Sequence, residues 1–318
     1  MKIPYSAISK LFGSQSHNGG WFALDVGARG VHCAQIQFSG GLPKVLRCEF
    51  HPTGAVTAEG LEKLSREAHF SNYQFTTLLR FGEYQILMVE APVVPADELK
   101  TAIRWKIKDG LNFHVDDATV DVLQIPKHGA ERIQSLYAIA ADNQIIQRYI
   151  ALFEKAKLAL SVIDIRETAQ RNLAALYERD DFALGLLAFD EDGGLLTFTA
   201  GGELHLSRRI EISAGQLRDA NPELLQQSLN RVELELQRSL DYFDRQYNHL
   251  PVSRVLISAP PQSGLVALLA TMRDVKVEQL ELSQVLDTSA VPLLSDSEFL
   301  VNALPVIGAA LRQERRAL

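Results

Sequence analysis

No stretch of this 318-residue chain approaches the ~20 consecutive apolar residues that a membrane-spanning helix needs. The first 20 residues also lack the continuous apolar core of a signal peptide, so the chain is expected to stay in the cytoplasm. Ile8, Leu11 and Phe12 fall at helical spacing there. A packed or frayed terminal turn is expected over a membrane-surface contact. Cysteine is scarce. Cys33 and Cys48 are the only two, and without C-x-x-C spacing they suggest neither a disulfide framework nor a metal site. Positive charge is not in excess: 32 Lys and Arg against 39 Asp and Glu leave a net charge of −7. With no basic run to track a phosphate backbone, nucleic acid is not an expected partner. Arg312, Arg315 and Arg316 near the C-terminus read as a solvated helix end. Walker-type, His-Glu-x-x-His and Gly-x-Ser-x-Gly motifs are all missing, and the eight histidines are scattered, so no catalytic set is assigned.

What is present is globular composition, 47% hydrophobic and 22% charged, in a chain long enough to bury a core unaided. A large two-lobed body or two domains is the starting expectation. The order of elements narrows this. Phe22 to Val26 is a short strand that carries Asp25 near its end; a turn at Gly27–Gly30 leads to a strand from Val31 to Phe38. After Gly40-Gly41 the chain returns from Val45 to Phe50. The same plan recurs later. Leu184 to Phe189 ends in Asp190, Asp192-Gly193-Gly194 turns the chain, and strands follow at Leu195–Ala200 and Leu204–Ile210. Two matching meanders mark a duplicated lobe.

Between them lie a helix over 58–69, strands near 76–79 and 86–89, and a helix opened by Pro95. Asp97 and Glu98 in its first turn, and Lys106 and Lys108 in its last, suit the helix dipole. Strands at 120–125 and 136–141 follow, then helices at 143–157 and 166–178 around a strand at 161–164. In the second half, Leu225, Leu229, Val232, Leu236, Leu240, Phe243 and Tyr247 step by three or four, one helical stripe over 222–249. Arg231 with Glu235, and Asp241 with Arg245, are spaced for pairing on its wet side. Arg208-Arg209 closes a strand and is placed to meet an acid. A strand at 254–258 and a helix at about 298–311 complete the chain. If Gly40-Gly41 is a two-residue turn, Cys33 lies opposite Cys48 with both thiols on one face.

Gly-rich hairpin turns let backbone N–H groups approach phosphate oxygens, and an acid at a strand end can hold Mg²⁺ through water. Asp25, Gly27, Asp190, Gly193 and Gly194 are the candidates. Each alone reads first as a turn former, and the repetition is what raises the phosphate-site reading to stand level with it.

Leu24 to Gln35 (LDVGARGVHCAQ) resembles the first phosphate hairpin of the PilM family, the actin-like proteins of type IV pilus assembly. Within it, the MshI branch from biogenesis of the mannose-sensitive haemagglutinin (MSHA) pilus is similar. Val89–Leu99 (VEAPVVPADEL), Arg104-Trp105, Ala138–Asp142, Val162–Asp164, Arg238–Phe243 and Gly308–Arg312 match in order. The resemblance implies an α/β, duplicated actin-like (ribonuclease-H-like) two-lobed fold with an inserted 1C-type subdomain. It places a leader at 1–20, the first lobe at 21–85, 161–183 and 300–318, the insert at 86–160 and the second lobe at 184–299. It also implies a scaffold at the inner-membrane platform of a pilus, peripheral to that membrane through partners. The implied partner is the N-terminal tail of a PilN-like or MshJ-like single-pass membrane protein, in a groove walled by Arg104 and Trp105. An active actin-like ATPase, a sugar-kinase-like phosphotransferase, or the equivalent part of a type II secretion system is the alternative.

Three departures from the family pattern oppose nucleotide. Ala28 and His32 stand for a hydroxyl residue and a Lys, Asp192 stands for an early Gly, and Ala259-Pro260 stands for the Gly-Gly adenosine turn. The expectation is a vestigial cleft at Asp25, Gly27, His32, Asp190, Gly193 and Gly194, with no catalytic residue, no metal, and ATP with Mg held weakly or not at all.

Overall fold

The computed structural model describes residues 21–38, 40–54, 56–70, 73–126 and 134–313. The leader with Ile8, Leu11 and Phe12 lies outside the described residues, as do Arg315 and Arg316.

Strands β1 (Trp21–Val26), β2 (Gly30–Gln37) and β3 (Lys44–Pro52) form the first meander. With β4 (Gln74–Leu78) and β8 (Ala159–Asp164) they make a sheet of order β3-β2-β1-β4-β8. Strands β9 (Ala183–Asp190), β10 (Gly193–Ala200), β11 (Glu203–Ile210), β12 (Val252–Ser258) and β13 (Lys276–Gln279) make a second, β11-β10-β9-β12-β13. Order and sense correspond strand for strand: in each sheet the meander is antiparallel and the last two strands add in parallel. The first seven residues of β9 are all buried, as suits a central strand covered on both faces. A third, antiparallel sheet, β5-β7-β6, joins β5 (Tyr84–Glu90), β6 (Ala118–Gln124) and β7 (Ser135–Asp142).

Helix α1 (Ala58–Glu67) and helix α3 (Asn143–Lys155) pack on the first sheet, where Leu61, Tyr149 and Phe153 meet Phe22 and Phe75. Helix α2 (Leu99–Ile107) covers one face of the third sheet through Ile103 and Ile107. It starts at Leu99, after the sequence-expected Pro95, because Pro95 to Glu98 close a turn with Glu98 N–H on the Pro95 carbonyl, 3.0 Å. On the second sheet lies α5 (Pro222–Gln246), capped by Asn221, whose side chain accepts from Glu223 N–H, and begun by Pro222. Its stripe is as expected; its charges are not. Glu235 pairs with Arg208 of β11 at 3.2 Å and with Arg238, and Arg245 donates to the Asp241 backbone carbonyl. A cross-element partner of partly buried geometry outcompetes an exposed i,i+4 pair.

The short helix α6 (Leu265–Leu269) adds Leu265 and Leu269 to the core of the second sheet, and between the two large sheets lie α4 (Arg166–Ala174) and α7 (Ser297–Ala310). One apolar core joins Ala23, Ala34 and Leu78 to Leu184, Leu186 and Leu256 through Leu173 and Ile307 of these helices. The C-terminal Arg312 is no solvated end, since it pairs with Asp164 at 2.7 Å. Gly308 is where α7 approaches α4 most closely: a Cβ there would lie 2.2 Å from the Ala169 carbonyl oxygen. Gly308→Ala is therefore expected to lower stability by ~1–3 kcal/mol in a urea titration. In an open helix interior the same change would stabilise by about 1 kcal/mol, so the sign alone tests the contact.

The cysteines correct the sequence-based register. Near the turn, Ile36 pairs with Val45 and Gln37 with Lys44, as expected. A bulge between Gln35 and Ile36 then shifts the ladder, setting Cys33 opposite Glu49 and Cys48 opposite Ala34. The two thiols point to opposite faces, into different cores, and both are free.

Candidate functional site

The ends of β1 and β9 converge. Asp25 and Asp190 sit near their C-terminal ends, and the two hairpin turns touch through Arg29 and Glu191 at 3.3 Å. Between the acids lies the guanidinium of Arg166, the first residue of α4, with its side chain 6% exposed. It reaches Asp25 at 3.2 Å, Asp190 at 2.7 Å and Asp192 at 3.4 Å. Arg80, just beyond β4, grips the outer carboxylate, with Nε 3.0 Å from Asp192 Oδ2 and a second donor on Oδ1. Two arginines thus face three aspartates. Phe81 floors the cluster, under Arg209 at 4.7 Å and Arg166 at 5.9 Å.

The electrostatics follow from burial against pairing. Burial pulls the Arg166 guanidinium down, but Asp25, Asp190 and Asp192 outweigh it and hold the group charged more firmly than a free arginine. Burial pushes Asp190 up against the pull of Arg166. It acts upward on Asp192 too, where Arg80 and Arg166 prevail and hold the carboxyl below its ordinary value. Asp192 is consequently not the bare negative charge that its position suggested; it is one partner of two arginines.

Three backbone donors of the two turns are spent internally. Gly27 N–H donates to the Gly30 carbonyl at 2.9 Å. Asp192 N–H and Gly193 N–H both donate to Asp190 Oδ1, at 2.8 and 3.1 Å. Gly193 has φ +143°, and a Cβ on Gly194 would lie 2.5 Å from the Phe189 ring, which accounts for both glycines by local packing. His32 pairs with Asp25 across β1 and β2 and its ring lies 4.4 Å from that of Phe50. Burial lowers its pKa, so it is neutral near pH 7 and brings no cation. At the turn that the family resemblance assigns to adenosine, Pro260 is buried and its carbonyl accepts from the N–H and hydroxyl of Ser263.

Next to Arg166, the buried Glu167 accepts from Tyr84 OH at 2.6 Å. Burial, outweighing that hydrogen bond, raises the Glu167 pKa. A carboxyl raised on folding penalises the native state above its folded pKa and not below its unfolded one. Tyr84→Phe removes the donor and deepens the penalty. The variant is expected to lose ~1–3 kcal/mol at neutral pH, with the deficit shrinking as pH falls towards the ordinary glutamate range. Urea midpoints measured across pH check this.

Sequence reasoning placed Asp25, Gly27, His32, Asp190, Gly193 and Gly194 in one cleft; the structure brings Asp25 and Asp190 together at Arg166 and sets the other four on the two hairpins that carry these acids. It missed Arg166 and Arg80. One signal was available: an arginine at the first helical position opposes the helix dipole, a conflict that calls for an anionic partner. Arg104 and Trp105 lie elsewhere, on α2. Arg104 is a strut, donating to the carbonyls of Ala118 at 2.8 Å and Val115 at 2.6 Å. Trp105 is 66% exposed, so it is not a core residue.

No protein-family model matches the sequence, and no curated protein does. Solved structures do. A chain of a PilM–PilN type IV pilus biogenesis complex superposes with a TM-score of 0.73 at 17% identity, covering 93% of this chain and 98% of that one. The cytoplasmic domain of EpsL, an inner-membrane component of the Vibrio cholerae type II secretion system, gives 0.50 at 12% identity, over 88% and 94%. A Bacteroides thetaiotaomicron protein with the actin-like ATPase fold gives 0.51 at 9%, over 94% and 99%. Among the described residues no helix is long and apolar enough to cross a membrane. With its paired five-stranded sheets, its helices between them and its small third sheet, the chain shares the overall fold of these structures, among them one described as having the actin-like ATPase fold.

Proposed function

We propose that this chain is a cytoplasmic scaffold of a type IV pilus inner-membrane assembly complex, and that it grips the short tail of a single-pass membrane protein. The observation that carries this reading is the near full-length correspondence, over both chains, with a chain of a PilM–PilN complex. In this reading the two matching sheets are the lobes of a duplicated fold, with residues 86–160 inserted as a 1C-type subdomain. Helix α3 within that span packs back on the first sheet. The tail lies in a groove between the insert and the first lobe, with Trp105 as the exposed anchor and Arg104 holding the wall's shape.

The same reading makes the nucleotide cleft degenerate. A triphosphate with Mg²⁺ needs free backbone donors and unpaired carboxylates. Here the donors of Gly27, Asp192 and Gly193 are engaged, and Asp25, Asp190 and Asp192 already face arginines. The residues as they stand do not fit that group. The weaker correspondence with EpsL supports a type II secretion counterpart as the second reading.

Titration of the full chain with N-terminal peptides from candidate single-pass partners tests the scaffold role. Saturable binding of a pilus-type tail is expected. Binding only to secretion-type tails favours the second reading, and binding to neither defeats both. Mg-ATP is expected to leave the melting temperature unchanged. A live site would add ~2.7 kcal/mol at about 100 times its dissociation constant, and such a shift, lost in Asp25→Ala, would restore the ATPase alternative.

A further inference from the structure

A second constellation sits on the other face of the first sheet, the one that carries Phe22 and Phe70. The bulge that separated the cysteines put Cys33 directly opposite Glu49, and His51 follows two residues along β3 on the same face. Among the described residues this is the group of metal-ligating side chains whose donor atoms all lie within 4.8 Å of one another. Cys33 Sγ is 3.8 Å from His51 Nε2, and that nitrogen is 3.0 Å from Glu49 Oε2.

Two chemistries could use a thiol, an imidazole and a carboxylate. A nucleophilic relay places the thiol on one ring nitrogen and the carboxylate on the other. Here both contacts converge on Nε2, so no relay can run through the ring. Convergence on one point is what a chelate needs. A tetrahedral ion with metal–sulfur ~2.3 Å and metal–nitrogen or –oxygen ~2.1 Å sets its donor atoms about 3.5 Å apart. The two separations to Nε2 bracket that value, and the third, from Sγ to the Glu49 carboxylate, lies within 4.8 Å, so side-chain adjustment of the partly exposed Glu49 and His51 would close the set.

The surroundings are those of a supported site. Cys33 is fully buried. Arg47 donates from Nε and Nη2 to the two Glu49 oxygens, each at 3.2 Å, and from Nη1 to the Ala68 carbonyl at 2.8 Å, which fixes the carboxylate. The Phe70 ring stands edge-on to His51 at 6.3 Å. Glu49 and His51 keep partly exposed side chains, which leaves an entry path and a fourth coordination position towards solvent.

We propose that Cys33, Glu49 and His51 form a binding site for one transition-metal ion of the Zn²⁺ class. The mixed sulfur, nitrogen and oxygen set excludes Mg²⁺, which demands oxygen ligands. On binding, the thiol proton leaves to solvent, the thiolate becomes a ligand, and the imidazole proton resides on Nδ1. A thiol must give up its proton to become a ligand, so one proton is released per ion and affinity climbs with pH. Sequence spacing hid the site, because Cys33 and His51 are 18 residues apart and only the register joins them.

Co²⁺ titration of the full chain, followed by thiolate-to-cobalt charge-transfer absorption and competed by Zn²⁺, is the test. One equivalent is expected, with the band lost in Cys33→Ser and kept in Cys48→Ser, whose thiol faces the other core. His51→Gln and Glu49→Gln each weaken binding by at least about tenfold. A wild-type chain without the band, or a band that survives Cys33→Ser, overturns the proposal. Should Cys33→Ser fail to fold, unchanged affinity in both of the partly exposed variants overturns it equally.

Discussion

Arg166→Met is expected to unfold far more readily than the parent chain, by ~3–5 kcal/mol in a urea titration. The reason is what remains rather than what leaves. Asp25 is buried and the Asp190 side chain is only 13% exposed, and each counts Arg166 as its ion-pair partner. Without the guanidinium the two carboxylates face each other with no counter-charge, and Asp25 Oδ1 already lacks a hydrogen-bond partner. Asp192 fares better because Arg80 retains it. The triple variant Arg166→Met with Asp25→Asn and Asp190→Asn removes the guanidinium together with both carboxylates it would strand, leaving the Arg80–Asp192 pair, and should recover most of the loss, since a buried ion cluster is often no better than a neutral replacement. A loss in Arg166→Met below about 1 kcal/mol, the range of an exposed pair, would mean that the cleft is wet and open.

Trp105→Ala is expected to weaken binding of the partner tail at least about thirtyfold, corresponding to ~2 kcal/mol for a buried aromatic anchor. Its effect on stability should be small, because two-thirds of the side chain faces solvent. Arg104→Ala should behave in the opposite way. Its guanidinium carries the Ala118 and Val115 carbonyls, so its loss loosens the segment that leads into β6 and lowers stability before it touches affinity. Calorimetric titration with the tail, beside thermal melts of both variants, separates the two roles. Equal losses of affinity without loss of stability would show that Arg104 is an anchor too.

The meanders were legible because their punctuation is chemical: Asp25 and Gly27, then Asp190 and Gly193, mark the same turn twice. The α5 stripe was legible because seven apolar positions repeat at one period. Register was not, because the bulge opposite Gln35 and Ile36 inserts Leu46 on β3, which no local sequence signal announces, and that one residue turned Cys33 away from Cys48 and towards Glu49. The start of α2 was misplaced because Pro95 opens a turn as readily as a helix. Arg231 was matched to Glu235 along the chain, whereas the fold offered Glu235 the closer Arg208. The candidate site was half visible. Its acids carry turn chemistry, but its cations are two isolated arginines whose meaning arises only when three elements distant in sequence meet.

A counter-ion that belongs to the polypeptide cannot be diluted, chelated or exhausted. Arg166 is held at a concentration fixed by covalent bonds, and at 6% exposure salt hardly screens it. The seam between the two large sheets should therefore keep its geometry through swings in ionic strength, Mg²⁺ supply or energy charge that would open a joint mortared by a soluble ion. If the proposed scaffold role holds, timing would come from when partners are made and where they are anchored, with this chain as the fixed stone.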